Sequence, residues 1–150
     1  VLTKAGYQQY EISNWARPGF ESRHNSIYWR TEPWLGLGSG AASYLDQRRW
    51  VNPSTIAAYL ADGPTAPPAE AQSVQEAQEE FMFMGLRLTR EGVTDARFRA
   101  RFGVGLAERY GPLLEKLVAR GLVAWDGERL VLTPTGLPLA NEAFEAFLEA

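Results

Sequence analysis

The sequence contains no cysteine and a single histidine among its 150 residues. Without a thiol, this polypeptide can carry no disulfide, thiolate-bound zinc, cysteine nucleophile or cysteine-held iron–sulfur cluster. One imidazole is too few for a histidine-rich metal site, so a protein-held zinc or di-iron centre would rest on carboxylates alone, and that class is rejected. The lone His24 has no Gly-x-Ser-x-Gly elbow to serve, which leaves a nucleophile triad unsupported. No apolar run approaches the roughly 18 residues of a membrane span, and the first residues lack the basic and apolar regions of a signal peptide. A cytoplasmic location is expected. Surplus positive charge is missing as well: the net charge is −3 and the pI about 5.3, against the Lys and Arg excess that neutralises nucleic-acid phosphates.

What is present is a chain that is 45% hydrophobic, enough for one globular domain or two very small ones. The clearest internal boundary is Gly63-Pro64-Thr65-Ala66-Pro67-Pro68-Ala69, where three prolines remove backbone donors and favour extended, solvated chain. Chemistry is distributed unevenly about it. Residues 1–60 hold ten of the 18 aromatic side chains, four of the five tryptophans and the histidine, and the charge balance is +1 over 1–69 and −4 beyond.

Periodicity supplies the elements. Loose alternation over 7–15, with Tyr10 and Ile12 opposite Gln9, Glu11 and Ser13, predicts a strand. A second strand is expected over 35–45, whose one face, Gly36, Gly38, Gly40, Ala42 and Tyr44, is nearly bare backbone. Glycines there imply the close approach of another backbone, a ring or a ligand. Beyond a short strand at 49–51, Asn52 is read as a helix cap, with Pro53 at the first position and Ile56, Tyr59 and Leu60 inward. Ser73-Val74-Gln75-Glu76 is a capping box before apolar residues at Val74, Ala77, Phe81, Met84 and Leu88. Thr94 caps a short helix that ends at Gly103. Leu106, Tyr110, Leu114 and Leu117 mark a third helix whose start Gly111-Pro112 could delay or kink. Asp126-Gly127 signals a hairpin between 122–125 and 129–132. A last helix is expected to pack through Leu139, Phe144, Phe147 and Leu148. Three helices, a hairpin and a closing helix make a winged-helix-like unit, but its third helix exposes the mixed set Glu108, Arg109, Glu115, Lys116 and Arg120 rather than a basic stripe.

Few residues point to chemistry directly. His24 could give one axial bond to haem iron, with Tyr28 and Trp29 as flat apolar surface beside a porphyrin; the alternative is a histidine that hydrogen-bonds within a loop. Gly36-x-Gly38-x-x-Ala41 matches a dinucleotide fingerprint but lies in an expected strand with no helix after it, so it is treated as coincidence. Glu11 and Glu21 are expected to be solvated surface, because nothing fixes their separation for acid–base work.

Three strings, Tyr10-Glu11-Ile12-Ser13-Asn14-Trp15-Ala16-Arg17-Pro18-Gly19, Glu21-Ser22-Arg23-His24-Asn25-Ser26-Ile27-Tyr28-Trp29 and Leu35-Gly36-Leu37-Gly38-Ser39-Gly40-Ala41, resemble in wording and order the radical-SAM haem chaperone family HemW, whose members were long described as oxygen-independent coproporphyrinogen III oxidases. Gly85-Leu86-Arg87-Leu88, Gly121-Leu122 and Leu132-Thr133-Pro134-Thr135-Gly136 are similar to that family's C-terminal domain. His24-Asn25-x-x-Tyr28-Trp29 is the string that marks the chaperone branch.

The resemblance implies an α+β chain: the strand-rich C-terminal edge of a radical-SAM partial barrel over 1–63, with strands and one helix, a Pro-rich linker over 64–70, and a mainly helical, winged-helix-like C-terminal domain with a hairpin wing over 71–150. It implies a cytoplasmic parent that binds a [4Fe–4S] cluster and S-adenosylmethionine through an N-terminal barrel missing from this sequence, and that hands haem to an acceptor protein. Alone, the chain is expected to be catalytically silent. By the resemblance His24 is a candidate axial ligand, Tyr28 and Trp29 pack the macrocycle, Asn25 supports the loop, and Gly36, Gly38, Gly40 and Ala42 line a cavity. Ala42 stands where the family usually has histidine, and Trp15 where it usually has phenylalanine. The first part, without its barrel, is expected to expose strand edges that pair with another copy. A parent that is a working oxidase, or a C-terminal domain serving as a protein-binding adaptor, are the other readings.

Overall fold

The computed structural model describes residues 1–63, 71–148 and 150. The chain is α+β. In order it forms strands β1 (Gln8–Gln9) and β2 (Trp15–Ala16), helix α1 (Arg23–Trp29), strands β3 (Ala42–Leu45) and β4 (Arg48–Val51), helices α2 (Ile56–Asp62) and α3 (Val74–Gly85), strand β5 (Val93–Thr94), helices α4 (Asp95–Phe102) and α5 (Leu106–Ala119), strands β6 (Val123–Trp125) and β7 (Arg129–Leu132), and helix α6 (Ala140–Leu148). Two compact units emerge, one from Val1–Thr31 with Gln78–Ala150 and one from Glu32–Ala77. The prolines of the expected linker, 64–70, lie outside the described residues.

Elements α3 to α6, most of them in the larger unit, carry the winged-helix-like pattern. Ser73 and Glu76 form the expected reciprocal cap of α3, Thr94 Oγ1 accepts from Arg97 N at 3.3 Å to start α4, and Gly103 at φ 76° ends it. Asp95 Oδ1 accepts from Leu106 N at 2.7 Å, so α5 starts there and runs through Pro112; the proline does not delay it. The Asp126-Gly127 hairpin forms as expected. A strand not foreseen, β5, joins it in the antiparallel order β5-β7-β6, with Val93 opposite Leu130 and Val123 opposite Leu132. Met82, Leu86, Val93, Phe98, Leu106, Leu130 and Phe147 are wholly buried in one cluster. Leu139 and Leu148, expected in that core, are instead 47% and 51% exposed, and Ala140 and Ala143 face inward in their place. Tyr110 puts its hydroxyl into this core without a hydrogen-bond partner, and burial raises the phenol's pKa.

The first 31 residues are built onto this unit, whereas composition had divided the chain at the prolines. Ile12 N donates to Arg87 O at 3.1 Å, Thr89 N to Tyr10 O at 3.2 Å, and Thr89 Oγ1 to Gln9 O at 3.0 Å. The end of α1 is fastened by arginines: Arg30 makes a bidentate pair with Glu91, Arg97 donates to Arg30 O, and Arg101 donates to both Thr31 O and Thr31 Oγ1. Thr31 sits at φ 50°, a left-handed conformation costly for a β-branched residue and held here by those bonds. The strand expected over 7–15 is broken into β1 and β2, paired Gln8 to Ala16 and Gln9 to Trp15. Glu11 causes the break: it is 0% exposed, and its Oε1 accepts from Ser13 N at 2.8 Å and Asn14 Nδ2 at 2.6 Å, closing a turn instead of lying on the surface.

The smaller unit is a hairpin with a glycine-rich loop and a helix. β3 and β4 pair through a two-residue turn in which Asp46 and Gln47 both have positive φ, the geometry that matches strand twist. The strand expected over 35–45 starts only at Ala42, apart from a bridge between Trp34 and Tyr44. Asn52 explains why. It is not a helix cap but a buried clamp, its Nδ2 donating to Gly36 O at 3.0 Å and Gly38 O at 2.9 Å, so those carbonyls point to it and not to a strand neighbour. Thr55 caps α2 instead, accepting from Ala58 N. Ile56 and Leu60, expected inward, are 70% and 76% exposed; Tyr59 packs, its hydroxyl accepting from Gly38 N at 3.1 Å.

Candidate functional site

Helix α1 carries the string His24-Asn25-x-x-Tyr28-Trp29. Ser22 starts it by accepting from Asn25 N at 3.2 Å, and buried Ser26 donates its hydroxyl back to Ser22 O at 2.8 Å. His24 therefore lies in a helix and not in a loop, one turn before Tyr28. Its imidazole is exposed, with Nε2 2.9 Å from the Tyr28 hydroxyl and the two rings edge-on at 5.0 Å. A neutral imidazole offers one lone pair. If Nε2 supplies it to iron, the Tyr28 hydroxyl must give way; if Nδ1 does, Tyr28 stays as the partner that orients the ring. Asn25 enters through its backbone N–H, which donates to Ser22 Oγ.

Trp29 is half-buried, and the Arg87 guanidinium covers its ring at 4.3 Å, so one face of that indole is already occupied. Arg87 Nη2 lies 3.6 Å from Oε2 of the buried Glu11. Beside the same helix a cleft of about 440 Å³ is lined by Tyr10, Glu21, Ser26, Arg30, Leu88, Arg90, Glu91 and Arg129, with charges of both signs.

The glycine-lined residues belong to the other unit, and their backbone explains them locally. A Cβ on Gly36 would lie 2.2 Å from Ala42 O, so the close approach is the chain's own strand; that carbonyl also accepts from Trp34 Nε1 at 3.1 Å. Gly38 and Gly40, with φ of 103° and 68°, serve the turns of the loop, and a Cβ on either would meet open space. Glu11, Arg87 and Asn52 escaped the sequence reading as organising residues. Glu11 and Arg87 lie within quoted strings and Asn52 is read from sequence as a helix cap, but nothing in spacing alone distinguishes a buried polar residue from a solvated one. With no cysteine, the chain offers no thiolate to a [4Fe–4S] cluster, and among the described residues no three His, Asp or Glu side chains gather as metal ligands. No described helix is long and apolar enough to cross a membrane.

Residues 72–139 match the family described as the HemN C-terminal domain. Over 150 residues the chain is 38% identical to the heme chaperone HemW of Lactococcus lactis subsp. lactis (strain IL1403), covering 99% of this chain and 39% of that protein. This chain is HemW/HemN-like. It is likewise 37% identical over 147 residues to the heme chaperone HemW of Bacillus subtilis (strain 168), covering 95% of this chain and 38% of the relative. The HemW/HemN-like chain thus spans about two fifths of the length of these relatives, of which it corresponds to the C-terminal portion. A solved structure of coproporphyrinogen III oxidase (HemN) from Escherichia coli, described as a radical SAM enzyme, shares its fold with a TM-score of 0.67 over 97% of this chain and 38% of that one, at 18% identity.

Proposed function

We propose that this chain is the haem-facing C-terminal portion of a cytoplasmic haem chaperone whose missing N-terminal barrel binds the [4Fe–4S] cluster and S-adenosylmethionine. The observation that carries the reading is the presentation of His24: the sequence's one imidazole is exposed on α1 with a tyrosine hydroxyl on its Nε2. Haem enters as cargo, with His24 as axial ligand, Tyr28 and Trp29 as packing surface, and Asn25 holding the helix start. Within the other unit, Gly36, Gly38, Gly40 and Ala42 are the candidate cavity-lining residues, with open space at Gly38 and Gly40. Residues 1–63 would complete the edge of the barrel, and a haem-acceptor protein would take the cargo.

Radical chemistry needs a cluster to reduce S-adenosylmethionine, and the cluster needs thiolates that this chain lacks. Its share of the work is therefore binding. The names of the relatives favour the chaperone over the oxidase for the parent. The adaptor reading, for DNA in particular, is disfavoured by α5: Arg109 bonds Gln78 and Arg120 pairs with Glu142, leaving no basic stripe for phosphates. Haem retention and transfer by the intact parent with reconstituted cluster, without turnover of coproporphyrinogen III, is the expected result. Formation of protoporphyrinogen would assign the parent to the oxidases.

A further inference from the structure

Three segments far apart in sequence meet behind α1: Glu11 from the β1–β2 turn, Arg87 from the stretch after α3, and Trp29 from α1 itself. Glu11 is wholly buried, and its Oε1 is used up by Ser13 N and Asn14 Nδ2. Its Oε2 faces Arg87 Nη2 at 3.6 Å, and Arg87 spreads over the Trp29 ring at 4.3 Å. Glu11 Oε2, Arg87 Nε and Trp29 Nε1 are all buried without a hydrogen bond. Such an arrangement is a poor way to gain stability. A buried ion pair repays its desolvation only with good geometry, and hydrophobic residues of the same volume commonly do as well or better. It does fix direction, because a planar guanidinium tied to a buried carboxylate can stack on the indole in few ways. Trp29 follows Tyr28 directly and lies five residues past His24, so the orientation of its ring sets how α1 presents both.

We propose that Arg87, held by Glu11, is a positioning residue that sets the orientation of α1 through Trp29 and so tunes His24 as a haem ligand. The inference rests on the reading of His24 given above. Arg87 does not touch the cargo; Arg97 and Arg101, which bind the end of α1, fix its place along the chain, while Arg87 fixes its rotation.

Haemin titration followed by absorption, with hydrogen exchange over 23–31, tests this in the intact chain for Arg87→Lys, Arg87→Met, Glu11→Gln and His24→Ala. Arg87→Lys keeps the charge and loses the flat stack, so it guards against a variant that fails to fold. The expected result is about tenfold weaker haemin binding and a shifted absorption band in both Arg87 variants and in Glu11→Gln, with exchange over 23–31 at least several-fold faster and exchange in α5 unchanged. A double-mutant cycle of Arg87→Lys with Trp29→Phe should be non-additive in haemin affinity. Unchanged binding and spectrum in the Arg87 variants, with His24→Ala defective, overturn the positioning role and leave the ligand reading intact. Haemin binding by His24→Ala that matches the parent chain overturns both.

Discussion

The two compact units keep their shape by different means. Val1–Thr31 with Gln78–Ala150 is organised by burial: wholly enclosed Leu, Val, Phe and Met side chains from four helices and a sheet form one cluster. Glu32–Ala77 buries few large apolar side chains, Tyr44 foremost, and leaves Leu35, Leu37, Val51, Ile56 and Leu60 60% or more exposed. It relies on polar clamps, Asn52 on two glycine carbonyls and Arg49 against the Trp34 and Tyr44 rings. A hydrophobic core tolerates loss of one surface group, whereas a clamp concentrates its effect in one side chain.

Several substitutions test that contrast. Phe147→Ala removes a wholly buried ring from the large unit and should cost about 3–5 kcal/mol, read as the shift of a urea unfolding midpoint. Leu60→Ala, in the same assay, should fall within about 0.5 kcal/mol, because Leu60 is exposed. A large effect of Leu60→Ala would show that α2 is covered and the contrast wrong. Next in size is Asn52→Ala, which strands the Gly36 and Gly38 carbonyls; each buried group left unsatisfied costs about 1–3 kcal/mol. Hydrogen exchange should rise over 36–44 and stay unchanged in α5. Thr94→Ala, which removes only the cap of α4, should cost about 1 kcal/mol of melting stability.

The smallest effect is a pH dependence. Asp126 accepts from Glu128 N and Arg129 N in the hairpin turn, and these bonds lower its pKa below the ordinary 3.8. A carboxylate whose folded pKa is depressed stabilises the fold fully above the unfolded value, and that contribution fades as pH falls through the folded one. Acid melting curves should therefore diverge between the parent chain and Asp126→Asn above about pH 4 and converge below it.

Legibility followed the same contrast. Helix caps at Ser73 and Thr94, the Asp126-Gly127 hairpin and the core of α3–α5 were readable because capping and 3.6-residue periodicity are local. The glycine-rich loop misled, since alternation over 35–45 mimics a strand, and only Asn52, reaching back across 14 and 16 residues, makes it a loop. Asn52-Pro53 in turn looked like a cap until Thr55 took that place. Glu11 reads as solvated because its ion partner Arg87 is 76 residues away in sequence. Of the candidate site, the string containing His24 and Tyr28 was legible; that it forms a helix tied to the large unit by Arg87, Arg97 and Arg101 was not, because those partners lie beyond the proline stretch.

The proposal that His24 ligates haem is tested most directly by resonance Raman or low-temperature absorption of the haem-loaded intact parent. His24→Ala should lose the axial-imidazole signature and weaken haem retention at least tenfold, while Arg23→Ala, on the exposed neighbouring position, should do neither. A haem spectrum and affinity unchanged in His24→Ala would contradict the account and leave His24 as a surface residue bonded to Tyr28.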